Sequence, residues 1–560
     1  MPSNECGEPA ESDSSPDSDS PSCSPQSISN GEDGGPNSTA DAALGQNSGG
    51  MFVRNLAANL SSQLLVGLLG IVAIPLLVSQ LGSEGYGLVA FFLTLQALFV
   101  LLDLGLSQAL LRQTARVREG VVDIYEYQAF YRTVKVLFGA IAALVCLVFL
   151  FAADWISGSW LTANSVPSED VKLSVQLMGL AAALRWLTGL YRGVAAGFEE
   201  FVWIGGITAV IGILRYLGAV PVLWLLQPQR GIVVFMVYQL AIGIVEVTVF
   251  YLKGQRLVHR QAGSLVSSGG FKPSSIFAEL RFSIYITIGS VTWLFTAQTD
   301  RIVLSYTLPL SDYGIYSLAV TLSAAVILVG QPLLNVINPR LTRFAARGLD
   351  GPLQWEYVEL TSLVAWIAAP VALTIALAPR EVVSTWTGNA SISDQAAPIA
   401  ALYAMGNVLF VINNFGYYLQ FARGNLKLHM VISLLTLLVI VPLQVLASID
   451  YGGVGAGAVW LGMQLLLTLA WMPIVNHVCL PGVHAMWLVR GVLIPLGSVG
   501  AVGLLIRALL HGMTTWPDWA YVLALCILTG ITALLGLGYN FRHALRRGVA
   551  GRLTTANSPP

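Results

Sequence analysis

Three arginines inside apolar stretches of the sequence are the residues best suited to chemistry: Arg185, Arg192 and Arg215. A charged side chain within a membrane-spanning segment costs about 3 kcal/mol on insertion, so each indicates a functional role. The turn between two apolar stretches centres near residues 198–200, about 14 residues after Arg185 and about 15 before Arg215. At about 1.5 Å per residue, an antiparallel hairpin brings these two guanidinium groups to a similar depth. Arg192 follows Arg185 by nearly two helical turns and shares its face.

A column of arginines is suited to binding a diphosphate. Guanidinium groups stay ionised and hold phosphate oxygens in a bidentate fork. We therefore predict that the three arginines line a substrate cavity. The alternative is ion pairing with Glu246, Asp103 or Glu199, and Arg192 has the further option of extending its charge to the membrane surface.

A second pair of charges, Asp300 and Arg301, lies about 20 residues into another apolar stretch. The two side chains either neutralise each other or leave Asp300 to carry a coupling proton or sodium ion. Asp103, Glu246 and Arg301 are further candidates for ion coupling, because intramembrane charges mark ion pathways in transporters.

Uncharged polar side chains in the apolar stretches are candidates for contact with a sugar. They equally suit hydrogen bonds between helices, which polar residues in membranes commonly make. The candidates are Asn59, Gln63, Asn413 and Asn414. The six histidines and five cysteines form no pair at metal-ligand spacing, so we predict neither a metal site nor another cofactor beyond a coupling ion.

The composition requires a membrane to hold these residues. The apolar set makes up 55% of the 560 residues, charged residues make up 11%, and the mean hydropathy is +0.70. A soluble domain carries about 25% charged residues, so this chain cannot cover a water-facing surface. We predict an all-α polytopic membrane protein with about fourteen spans of about 20 residues each. The predicted spans are 56–79, 86–110, 132–152, 171–197, 201–226, 231–252, 280–306, 313–336, 357–378, 397–421, 428–448, 453–476, 485–507 and 518–540.

The charges between the spans predict the topology. Alternate connections are rich in cations: Arg112, Arg116, Arg118, Lys253, Arg256, Arg260, Lys272, Arg340, Arg343, Arg347, Arg423, Lys427, Arg490, Arg542, Arg546, Arg547 and Arg552. The other connections carry only Lys172, Arg230, Arg380 and Arg507. By the positive-inside rule we predict that both termini lie in the cytoplasm.

The chain also contains an internal repeat. A shift of 227 residues places Tyr86-Gly87 on Tyr313-Gly314, Thr94-Leu95 on Thr321-Leu322, and residues 189–197 on 416–424 with four identities in nine. The first span maps to the seventh, so the halves share one orientation. We predict two parallel-repeat six-helix lobes around a central cavity, the usual site of a transported substrate, with two helices appended.

The predicted organisation has six segments. Residues 1–50 contain no Lys or Arg and are rich in Ser, Pro and acidic residues, so we predict a disordered tail. Met51 is then a candidate for the true start of translation. The remaining segments are an N-lobe (51–252), a cytoplasmic linker (253–279), a C-lobe (280–478), two extra spans (479–547) and a disordered C-terminal tail (548–560).

Three groups of motifs resemble a known family. They are Leu81-Gly-Ser-Glu-Gly-Tyr-Gly87 with Leu102-Asp-Leu-Gly-Leu-Ser107; Thr299-Asp-Arg-Ile-Val303 with Asp312-Tyr-Gly-Ile-Tyr316 and Asn338-Pro-Arg340; and Ala422-Arg-Gly-Asn-Leu-Lys427 with Tyr451-Gly-Gly-Val-Gly-Ala456. In order and spacing they resemble the O-antigen flippase (Wzx-like) polysaccharide-biosynthesis branch of the multidrug/oligosaccharidyl-lipid/polysaccharide (MOP) exporter superfamily. The resemblance covers about residues 55–480.

The resemblance implies a transporter, not an enzyme. It would move a polyprenyl-diphosphate-linked oligosaccharide across the cytoplasmic membrane by alternating access, for cell-surface polysaccharides such as lipopolysaccharide. Its partners would be the lipid-linked substrate, the bilayer, and a polymerase and glycosyltransferases of the same process, with no nucleic acid. The alternatives are a cation-coupled multidrug exporter of the same fold, a lipid II flippase, and, from other classes, a membrane-embedded glycosyltransferase or a scaffold.

Overall fold

The computed structural model describes most of the chain. Among the residues whose backbone is described, side chains are described for all except 38–59, 332, 335–339 and 541–555. Two units are distinguished, residues 1–53 and 54–560. The described residues are 38–99, 103, 105–226, 230–262, 291–292, 294–510 and 517–555.

Helices make up nearly all of this structure. In chain order they are α1 (Ser38–Phe99), α2 (Leu106–Arg118), α3 (Ile124–Trp155), α4 (Ser168–Gly197), α5 (Phe201–Tyr216), α6 (Ala219–Leu226), α7 (Gly231–Ala262), α8 (294–307), α9 (Leu310–Ser323), α10 (Ala325–Ala346), α11 (Asp350–Leu377), α12 (Pro379–Thr387), α13 (Ala390–Ala422), α14 (Lys427–Leu435), α15 (Val441–Leu466), α16 (Met472–Cys479), α17 (His484–Met486), α18 (Ile494–Leu510) and α19 (Asp518–Thr555). Helical turns of the wider π type extend α3, α14, α15 and α17.

Eleven helical stretches among the described residues are long and apolar enough to cross a membrane. Two are too long for a single crossing, Leu60–Phe99 with 40 residues and Lys427–Cys479 with 53. At about 1.5 Å per residue they would extend roughly 60 and 80 Å, whereas the hydrocarbon core is about 30 Å thick. A glycine with positive φ interrupts each one, Gly82 (φ 70°) and Gly452 (φ 59°). Each long stretch therefore accommodates two of the predicted spans.

The polytopic all-α fold is confirmed. The predicted span 280–306 lies partly outside the described residues, and its described end belongs to α8. With that span and the two interrupted stretches, the structure is consistent with the predicted fourteen. Helical backbone begins at Ser38, inside the tail predicted to be disordered (1–50), where Ala and Leu of residues 40–44 are strong helix formers.

The repeat found in the sequence reappears as a reciprocal contact between its two halves. A Cβ built on Gly87 would collide with the carbonyl oxygen of Leu310, and one built on Gly314 would collide with that of Ser83. The shift of 227 residues maps Ser83 onto Leu310 and Gly87 onto Gly314. The two contacts are therefore the same contact made twice, as an approximate two-fold axis between the halves requires. We call residues 83–94 and 310–321 the seam.

Hydroxyl groups extend the same reciprocity. Thr94 Oγ1 lies 3.0 Å from the Tyr313 hydroxyl, and both side chains are buried. The repeat-related pair is Tyr86 with Thr321, whose side chains also interact although the Tyr86 hydroxyl forms no hydrogen bond in this conformation. Glycine, tyrosine and threonine thus recur at the seam because each half packs on the other through the same positions.

The loop 161–167 ties the two halves together at one end of the seam. The backbone N–H of Leu310 donates to the carbonyl of Thr162, with the N and O atoms 2.9 Å apart. The carboxylate of Glu84, at the start of the seam, accepts a hydrogen bond from the backbone N–H of Ser165 at 2.7 Å. Hydrogen bonds therefore join the two halves at this end of the seam.

Replacing Gly87 with alanine tests the seam. We expect a loss of about 1–3 kcal/mol of stability, because the new methyl group must push the Leu310 carbonyl away. Gly139→Ala is the matched control, since nothing lies within 4 Å of a Cβ at that helical position. The measurement is thermal unfolding of the two purified variants in detergent. Equal melting temperatures for them would contradict the close approach at Gly87.

Candidate functional site

The predicted arginines come together with one carboxylate. Arg185 and Arg192 lie on α4, Arg215 on α5 and Glu246 on α7. The Nη2 atom of Arg215 lies 2.6 Å from Glu246 Oε2, and the two side chains are only 8% and 15% exposed. Of the alternatives left open for Arg215, the structure thus contains the ion pair with Glu246. We call these four residues the arginine cluster.

The other two arginines surround this pair without joining it. Arg185 is close enough to interact electrostatically with Arg215, and Arg192 with both Glu246 and Arg185. Both side chains are partly exposed. Among the described residues, neither Arg185 nor Arg192 makes an ion pair or a hydrogen bond. Arg185 and Arg215 therefore lie near each other, while their common depth in the membrane stays a prediction.

The remaining carboxylates proposed as partners lie elsewhere. Glu199 pairs with Arg118, 2.8 Å away, and its side chain is half exposed. Asp103 accepts hydrogen bonds from the backbone N–H and the hydroxyl of Ser107, at 3.2 and 2.7 Å. Asp103 thus holds the first turn of α2, and its proposed role in ion coupling stays a prediction.

A break in the fifth span positions Arg215. Helix α5 ends at Tyr216 and α6 begins at Ala219, which frees backbone carbonyls that water cannot reach within a membrane. Two side chains of α7 bond to them. Tyr238 donates its hydroxyl to the Leu214 carbonyl at 2.6 Å, and Gln239 donates its amide to the Arg215 carbonyl at 3.2 Å.

Helix α7 therefore holds Arg215 at both ends. Gln239 bonds to its backbone, and Glu246, seven residues or about two turns later on the same face, bonds to its guanidinium. Sequence reasoning missed Tyr238 and Gln239. The available signal was their polarity within an otherwise apolar span.

Asp300 occupies a separate network. Its Oδ2 accepts hydrogen bonds from the hydroxyls of Tyr316, at 2.7 Å, and Tyr403, and its Oδ1 accepts from the backbone N–H of Arg301 at 2.8 Å. All three networked side chains are buried, and Arg301 interacts electrostatically with Asp300. Sequence reasoning missed both tyrosines, which come from α9 and α13. Both oxygens of this carboxylate accept hydrogen bonds, three in all, so an ion bound there would share the carboxylate with these donors.

The predicted sugar contacts are dispersed. Asn413 donates its amide to the carbonyl and the side chain of Gln464, both at 3.1 Å, and therefore bridges α13 and α15. Asn414 donates to the carbonyl of Phe410, one turn earlier in its own helix. Gln63 is exposed, and the side chain of Asn59 lies outside the described residues. Contact of these residues with a sugar stays a prediction.

The charge of the arginine cluster is its main chemical property. Three guanidinium groups and one carboxylate leave two net positive charges. Electrostatic attraction is stronger in a site of low dielectric than in water. A dianion would balance this net charge, and lining of a substrate cavity by the three arginines stays a prediction.

The buried pair predicts a large effect on stability. Arg215→Ala removes the guanidinium that is bonded to Glu246 and leaves only Arg192 within electrostatic reach of that carboxylate, so we expect a loss of about 1–3 kcal/mol. Arg185→Ala serves as the control, because Arg185 forms no ion pair among the described residues and its removal leaves no carboxylate unpaired. Thermal unfolding in detergent compares the two. The double variant Arg215→Met/Glu246→Leu should recover most of the loss, and failure to recover would show that the ion pair is not the cause.

Comparison with known proteins adds a family and a fold. Residues 52–345 match the family described as polysaccharide biosynthesis protein. A putative O-antigen transporter of Shigella flexneri is 25% identical over 150 residues, which are 27% of this chain and 35% of that protein. The match thus spans about a third of the length of that relative.

Two solved structures resemble the chain over most of its length. The lipid II flippase MurJ, in an inward closed conformation, has a TM-score of 0.65 at 12% identity, covering 86% of this chain and 98% of that one. An inward-facing multidrug resistance transporter of the MATE family, from the MOP superfamily, has a TM-score of 0.55 at 14% identity, covering 79% and 98%. At such identities the likeness shows the fold alone.

Proposed function

The chain belongs to the polysaccharide biosynthesis protein family, and on that premise we propose that it is a flippase for a polyprenyl-diphosphate-linked oligosaccharide. The arginine cluster is the observation that carries the proposal. A diphosphate that bridges a lipid and a sugar has one negative charge on each phosphate, so its charge complements the two net positive charges of the cluster. Guanidinium forks also match the geometry of phosphate oxygens.

The seam supports alternating access as the mechanism. With both termini in the cytoplasm, as the loop charges predict, the seam lies at the outer face of the cytoplasmic membrane. The described conformation is then closed to the outside. Substrate would enter from the cytoplasmic side, bind Arg185 and Arg192, and leave after the seam parts, while the polyprenyl tail stays in lipid.

Two rival functions make different demands on the site. A cation-coupled exporter of small molecules would favour a site dominated by carboxylates, whereas Glu246 is outnumbered by arginines. A lipid II flippase needs the same affinity for a diphosphate. It differs from the proposed function only in the glycan that its substrate carries. We propose no catalytic step, and we propose the polymerase and glycosyltransferases of the same process as functional partners.

The decisive experiment measures where the lipid-linked glycan accumulates. In a deletion strain, polyprenyl-diphosphate glycan should accumulate in the cytoplasmic leaflet, as assigned by a membrane-impermeant lectin, and the wild-type gene should relieve this. Normal export in the deletion strain, with no second transporter expressed, would refute the proposal.

Substitution of Arg185 is the most direct single-residue test in that assay. We expect Arg185→Ala to lower glycan export about tenfold or more, because a charge-assisted contact with phosphate contributes about 1.5–3 kcal/mol. Arg185→Lys should recover only part, since an ammonium lacks the bidentate fork. Arg380→Ala is the control, because Arg380 is exposed and pairs with Asp394 at the surface. Full export by a normally expressed Arg185→Ala variant would exclude a role for the cluster.

Energy coupling by a proton or sodium gradient is part of the proposal, with Asp300 as the candidate site. In proteoliposomes, transport by Asp300→Asn should no longer respond to an imposed gradient. Tyr403→Phe is the matched variant, because it removes one donor and keeps the carboxylate. If Asp300→Asn responds as the wild type does, Asp300 only holds α8, α9 and α13 together.

A further inference from the structure

Glu246 forms an ion pair with Arg215, the most deeply buried arginine of the cluster. Arg215 is 7% exposed, and its guanidinium contacts the carboxylate at 2.6 Å. Its backbone carbonyl is held by Gln239 from the same helix as Glu246. Carboxylate and phosphate are the two anions that a guanidinium fork binds best. A phosphate oxygen therefore fits the position beside Arg215 that the Glu246 carboxylate holds in this structure.

The cluster is divided into an occupied part and an open part. Arg185 and Arg192 are partly exposed and have no ion pair among the described residues. Arg192 nevertheless lies within electrostatic reach of Glu246. A carboxylate released from Arg215 thus has a second cation nearby and need not remain unpaired in a medium of low dielectric.

We propose that Glu246 is an internal competitor of the substrate, a proposal that rests on the proposed function. In the empty transporter Glu246 neutralises Arg215. An entering diphosphate binds Arg185 and Arg192 first and then displaces the carboxylate from Arg215. The return of Glu246 to Arg215 expels the diphosphate on the other side of the membrane. Glu246 thereby sets the affinity for the head group.

Charge balance explains why a transporter would keep such a group. With Glu246 ionised, a bound dianion brings the cluster to zero net charge. Without that carboxylate, three positive charges would surround the dianion and one would remain unmatched, which favours binding over release. A transport site has to bind its cargo well enough to load it and weakly enough to let it go.

The competition predicts opposite effects on binding and on transport. Glu246→Gln keeps an oxygen that accepts a hydrogen bond from Arg215 but removes the charge. We expect it to bind a geranylgeranyl-diphosphate-linked monosaccharide, which is a dianion, about tenfold more tightly than the wild type, which corresponds to ~1.4 kcal/mol. In cells the same variant should export glycan several-fold more slowly, because release is impeded.

The experiment compares purified proteins in lipid nanodiscs by titration with the geranylgeranyl-diphosphate-linked monosaccharide at fixed ionic strength. Glu246→Asp, which shortens the reach to Arg215 by one methylene, should bind with intermediate affinity and covers the case in which the glutamine variant does not fold. Glu199→Gln is the matched control, since that half-exposed carboxylate pairs with Arg118. Its affinity should equal that of the wild type.

The possible outcomes separate this inference from the function. Tighter binding by Glu246→Gln together with slower export supports internal competition. Unchanged or weaker binding by a folded Glu246→Gln protein overturns it and makes Glu246 a structural partner, while the flippase proposal stands. If neither the wild type nor Glu246→Gln binds the diphosphate, both the inference and the diphosphate specificity fall.

Discussion

A polar group inside a membrane span has no water to bond with, so it must find its partner within the protein. This requirement accounts for the described polar contacts between the helices. Arg215 pairs with Glu246, and the carbonyls freed by the break after Tyr216 accept hydrogen bonds from Tyr238 and Gln239. The same requirement places tyrosine hydroxyls on Asp300. Arg185 and Arg192 make no ion pair within the described part of the chain, and their charge is the basis of the proposed anion site.

The architecture is repeated, but the chemistry is not. The shift of 227 residues keeps the glycine, tyrosine and threonine of the seam. The same shift maps Arg185 to Ile412, Arg215 to Pro442 and Asp300 to Ala73. The symmetric positions are those through which the halves pack on each other. Each of these charged residues has an uncharged counterpart in the other half. The two halves therefore share an architecture but differ in their buried charges.

The properties predicted well from sequence are those set by periodic or additive physical quantities. Hydropathy located the spans, and the nearness of Arg185 and Arg215 is what the rise per residue on the two sides of a short turn leads one to expect. The choice of Glu246 over Asp103 and Glu199 did not follow, because it depends on the rotation of α7 about its axis. The convergence of Tyr316 and Tyr403 on Asp300 was equally hidden, since it joins three helices far apart in the chain. Disorder was expected through residue 50, whereas helix begins at Ser38.

The reciprocal contact at Gly87 and Gly314 has a consequence for how such a chain evolves. Each glycine faces a backbone carbonyl of the opposite half, so no change of side chain on the partner can relieve a substitution there. The two positions are equivalent by the internal repeat. A substitution at either one disturbs the packing between the two halves. The same backbone contact disfavours any residue other than glycine at both positions. The internal repeat is still legible in the sequence for that reason.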